Sequence, residues 1–66
     1  MKKTNTEVDP HERKATYHIN GYCVATLYVA SDNIEFHNEI TEKEKEEAYI
    51  SMRKEVNNFM QEFNLN

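Results

Sequence analysis

Two side chains in this 66-residue chain come close to a chemical constellation, His18 and Cys23. They flank the dipeptide Asn20-Gly21 and would face each other across a tight β-hairpin. A thiol beside an imidazole could be a nucleophile with its base, or two ligands for a soft metal ion. A nucleophile of that kind also needs a third group to orient the base and a pocket to hold a substrate. A structural metal needs four spaced ligands. The remaining histidines do not supply them: His11 falls in a polar N-terminal stretch, and His37 falls on a later strand beside Glu35. Ser31 and Ser51 fall in a turn and mid-helix, without the strand–turn–helix context of a serine hydrolase. With one glycine in the chain, no glycine-rich phosphate loop can form. The residues point to no catalytic site, no cofactor and no metal.

Secondary structure has two firm signals. Asn20-Gly21 suits a type I′ turn, in which both central residues take positive φ. Its flanks, Ala15–Ile19 and Tyr22–Ala30, are rich in β-branched and aromatic residues. Ser31-Asp32-Asn33 is a second turn cluster, and residues 34–38 follow as a short third strand. Thr41-Glu42-Lys43-Glu44 matches a capping box, and four early glutamates suit the positive end of a helix dipole. Beyond them Tyr49, Met52, Val56, Phe59 and Phe63 recur at helical spacing, widened by Ala48 and Met60. The expectation is an α+β fold: a three-stranded antiparallel sheet (hairpin 14–30, third strand 34–38) and one C-terminal helix over about 41–64. Residues 1–12, polar apart from Met1 and Val8, read as a flexible arm ahead of a single β-β-β-α domain at 13–66.

With a regular two-residue turn the faces of the hairpin follow from alternation. Ile19 then opposes Tyr22, Tyr17 opposes Val24, and Ala15 opposes Thr26, all on one face with Tyr28. Cys23, Ala25, Leu27 and Val29 take the other face, opposite His18, Thr16 and Lys14. Both faces are largely apolar, and the chain has one helix to cover them. The small aliphatic row of Cys23 to Val29 suits a surface under the helix, which would expose Tyr17, Ile19, Tyr22, Val24 and Tyr28, or the two roles are reversed; Ile50 is a further apolar residue at the edge of the helix stripe. Exposed apolar patches mark interaction surfaces, and a chain this short gains core by pairing.

The charge pattern bears on the partner. The net charge is −4, and Ala15–Ile40 carries Asp32, Glu35 and Glu39 with no lysine or arginine. Phosphate backbones are bound through lysine and arginine, so a nucleic-acid ligand for the sheet is disfavoured. The competing reading is a single-stranded nucleic-acid binder that stacks bases on Tyr17, Tyr22 and Tyr28, with Lys2, Lys3, Arg13 and Lys14 supplying charge. No apolar run approaches the length of a membrane span, and one unpaired cysteine fits a reducing compartment, so the chain reads as cytoplasmic. The leading expectation is a non-catalytic interaction protein, a homodimer that binds and modulates another protein, of the kind phages and mobile elements encode as inhibitors.

Overall fold

A computed structural model describes residues 2–63, with side chains through Phe59. Four strands precede one helix: β1 (Thr4–Asp9), β2 (Lys14–Ile19), β3 (Tyr22–Tyr28), β4 (Asn33–Phe36) and α1 (Glu42–Phe63). The strands form an antiparallel meander in the order β1-β2-β3-β4. The architecture is the expected α+β, with four strands where three were anticipated.

The additional strand lies in the stretch read as a flexible arm. Along β1 the residues Thr4, Thr6 and Val8 alternate with Asn5, Glu7 and Asp9, and each pairs across to β2. Val8 packs against the core, and Thr6 Oγ1 lies 2.6 Å from Ser51 Oγ on α1. Asp9 Oδ1 accepts from the backbone N–H of His11 and Glu12 at 3.0 and 3.1 Å, which closes the turn into β2. At the other end Asn20 N–H donates to Lys3 C=O at 2.7 Å, and the Asn20 side chain accepts from Lys3 N–H at 3.0 Å. The hairpin turn thus anchors the start of β1.

The predicted turn itself is present, with Asn20 and Gly21 at φ 53° and 86°. The register beyond it departs from regular alternation. Ile19 opposes Tyr22 and His18 opposes Cys23, but Tyr17 opposes Ala25, Thr16 opposes Thr26 and Ala15 opposes Leu27. Val24 is the extra residue of a β-bulge. Its carbonyl accepts from His37 N–H at 2.8 Å, so its acceptor is not left idle. Val24 and Ala25 are adjacent and both buried beneath α1, where unbroken alternation would send one of them to the opposite face. The bulge therefore places Ala15, Tyr17, Val24, Ala25 and Leu27 in one core.

From α1 the core receives Ala48, Met52 and Val56, at steps of four residues. The helix lies across β1 and β2 and more sparsely across β3. Tyr49, read as part of the buried stripe, is exposed at its edge, and Phe59 is half-buried. Met60 and Phe63 lie outside the residues described at side-chain level. The capping box forms as its sequence implies: Glu44 N–H donates to Thr41 Oγ1 at 3.0 Å, and Thr41 N–H donates to Glu44 Oε1 at 2.8 Å.

Candidate protein-binding cleft

Two side chains expected on an exposed apolar patch are in the core. Tyr17 and Val24 are each 5% exposed, because α1 covers their face of the hairpin, and the bulge brings Ala25 and Leu27 onto that same face. Tyr28 lies on the opposite, helix-free face, its hydroxyl donating to Glu35 Oε1 at 3.1 Å. That hydrogen bond, with the adjoining Glu35 charge, raises the tyrosine pKa above its ordinary value. Ile50 stands exposed on α1, away from the sheet. The stacking platform of Tyr17, Tyr22 and Tyr28 is not assembled, with one ring buried and the other two on opposite faces.

What the fold does bring together is one end of the helix-side surface. Ile19 and Asn20 from the end of β2, Tyr22 and Val24 from β3, Asn38, Glu39 and Ile40 from the β4–α1 connection, and Glu44 from the first turn of α1 line a cleft of about 380 Å³. It is open to solvent. Its floor is Val24 with the half-buried Ile19 and Ile40, all three packed into or against the core. Tyr22 stands at its rim, 72% exposed. The connection that closes the far wall is shaped by Asn38, in a left-handed backbone conformation at φ 67° that asparagine tolerates. Asn38 also donates from its side chain to Cys23 C=O at 3.4 Å, tying the connection to β3.

Among the described residues the lining carries two carboxylates and no cation. Glu44 is held by the capping box, and Lys2 Nζ sits 3.6 Å from its Oε2 and 3.7 Å from Glu47 Oε1. The Thr41 backbone N–H lowers the Glu44 pKa most, burial opposes that shift, and the Thr41 hydroxyl and Lys2 add to the lowering. Glu39 is exposed and has no hydrogen-bond or ion-pair partner among the described residues.

The helix-free face is polar. His18 Nε2 lies 3.0 Å from Thr16 Oγ1, and His37 Nε2 lies 2.9 Å from Thr26 Oγ1, with Thr16 directly opposite Thr26. Cys23 Sγ is 3.6 Å from Ala25 C=O and 3.9 Å from Thr26 Oγ1. His37 thus joins the His18–Cys23 neighbourhood, which sequence reasoning did not foresee. Both imidazoles direct Nε2 to a threonine hydroxyl. Among the described residues, no group of three or more His, Cys, Asp or Glu side chains is arranged to hold a metal ion. No helix among them is long and apolar enough to cross a membrane.

In comparisons with known proteins, no family model, no curated protein and no solved structure matched this chain.

Of the six side chains singled out in the sequence, Ile19, Tyr22 and Val24 meet at the cleft; Tyr17, Tyr28 and Ile50 do not. Sequence reasoning missed Asn38, Glu39, Ile40 and Glu44. A signal for Ile40 exists: it is a lone apolar residue just before the capping box, the position from which a chain commonly packs its entry into a helix.

Proposed function

We propose that this chain is a non-catalytic protein-interaction module that binds and modulates another protein, and that it holds that partner at the hairpin-tip cleft. The observation that supports this is Tyr22, a large aromatic ring left 72% exposed beside an apolar floor of Ile19, Val24 and Ile40. Tyrosine in such a setting offers broad contact area and a hydroxyl at little entropic cost, which is why it recurs at interfaces. The wall opposite it is anchored by the capping box and by Asn38, so the surface is shaped before any partner arrives.

Of the residues expected on an apolar homodimer face, Tyr17 and Val24 lie under α1, Ile19 and Tyr22 stay open at the cleft, and Tyr28 is on the opposite face. The proposed partner is a different protein.

Affinity capture on the immobilised full chain tests the reading. Tyr22→Asp is expected to lose the captured partner while keeping the wild-type circular dichroism and unfolding midpoint. Tyr28→Ser, on the other face, is expected to keep the partner. Retention of the same partner by Tyr22→Asp would contradict the assignment of the cleft.

A further inference from the structure

Among the described residues, three large aromatic side chains on the helix-bearing side are exposed: Tyr22, Phe36 and Tyr49. Two of them carry a cation from the chain itself. Lys45 Nζ lies 5.4 Å from the centre of the Phe36 ring, and the Arg53 guanidinium lies 5.9 Å from the centre of the Tyr49 ring. Arg53 also reaches Asp32 Oδ1 at 2.6 Å. A tyrosine face, a carboxylate and an arginine bridging them therefore make one complete set on this surface. The cleft repeats the first two parts, Tyr22 and Glu39, on the ring with the greatest exposure of the three, and among the described residues nothing fills the third.

We propose that the cleft receives an arginine side chain of the protein partner, its guanidinium lying on the Tyr22 ring and against Glu39, its methylenes over Ile19, Val24 and Ile40. This inference rests on the cleft being the partner-binding surface. Four features favour it. A guanidinium is planar and weakly hydrated, so it stacks on an aromatic face and bonds a carboxylate at the same time. The aliphatic stem of arginine is suited to an apolar floor with a charged end. Among the described residues the lining has two carboxylates and no cation, so the field at the cleft favours a positive group. Lys2 already sits on the Glu44–Glu47 side, so the neighbouring carboxylates take a cation from within the chain, and Glu39 is the one left for a cation from outside.

The test is a chemical-shift titration of the 15N-labelled full chain with four short capped peptides, Gly-X-Gly with X arginine, citrulline, lysine or leucine. Citrulline keeps the shape of arginine and removes its charge. The arginine peptide is expected to move the amides of Tyr22, Glu39 and Ile40 saturably. The citrulline peptide should bind about fivefold more weakly, the scale of one exposed ion pair. Glu39→Gln and Tyr22→Leu should each weaken the arginine peptide about threefold, with the dispersed spectrum of each variant confirming its fold. Equal binding of arginine and citrulline would overturn the proposal, as would lysine matching arginine, since a point charge does not stack in the same way. Shifts confined to the outer glutamates of α1, with the cleft amides still, would overturn it too. Leucine binding the cleft as well as arginine would remove the arginine assignment and leave the cleft as a protein contact. Silence with all four peptides would also remove it, and the capture experiment with Tyr22→Asp then decides the interaction reading separately.

Discussion

Deleting Val24 should leave this fold standing, whereas deleting Thr26, two positions along the same strand, should abolish it. The bulge makes the difference. Without Val24, Ile19–Tyr22, His18–Cys23, Tyr17–Ala25, Thr16–Thr26 and Ala15–Leu27 become the pairs of a regular hairpin, and every one of them already exists. The cost is one buried valine side chain, about 1.5–3 kcal/mol, and the hydrogen bond from His37 N–H to the Val24 carbonyl, about 1 kcal/mol. A domain of this size has roughly 3–10 kcal/mol in total, so the variant is expected to fold with a lowered urea midpoint. Deleting Thr26 keeps the bulge and puts Leu27 opposite Thr16. That turns a fully buried leucine to the open face, and the pairs of β4 lose their places with it. Urea titration followed by far-ultraviolet circular dichroism distinguishes the two. If the hairpin were regular, with Tyr17 opposite Val24, either deletion would slip the strand by one residue and turn its side chains to the wrong face, so a Val24 deletion that failed to fold would refute the bulge.

Other perturbations test separate parts of the account. Met52→Ala empties a fully buried position under the helix and should cost about 2–5 kcal/mol in the same titration. Removing residues 1–9 takes away β1, the Val8 packing and the Thr6–Ser51 contact, so it should lower stability by about 3 kcal/mol or more; a flexible arm would be removed at no cost. Thr41→Ala removes the helix cap and should cost about 0.5–2 kcal/mol. Because the folded pKa of Glu44 is lowered, its stabilising contribution is complete above the ordinary glutamate pKa and is lost as the pH falls through the lower folded value. Glu44→Gln should flatten the stability profile across that acid range, which a series of thermal melts against pH would show.

The elements with strong local chemistry were legible in the sequence. Asn20-Gly21 and the Thr41–Glu44 box each satisfy their own backbone, so pattern alone locates them. β1 escaped because an edge strand with one half-buried valine needs few apolar residues, and Thr-Asn-Thr-Glu-Val-Asp reads as a polar tail. Its alternation of β-branched and polar residues was the available clue. The bulge escaped because a two-residue turn implies unbroken alternation, and nothing in the strand marks where alternation slips. Yet the sequence did carry a symptom: a regular register left two apolar faces for a single helix. The adjacent pair Val24-Ala25 resolves that mismatch by facing the same way. The cleft was half legible, through Ile19, Tyr22 and Val24, for a reason that had to be revised. Those residues meet the β4–α1 connection at the hairpin tip, and that contact joins positions some twenty residues apart that no local pattern relates.

Photo-crosslinking from position 22 asks whether the cleft is where the partner sits. With p-benzoylphenylalanine in place of Tyr22, illumination in the source cell is expected to give a discrete adduct with one other protein, and the same substitution at Tyr28 is expected to give none. An adduct from position 28 with none from position 22 would place the partner on the polar sheet face, contradicting the cleft as the site of binding.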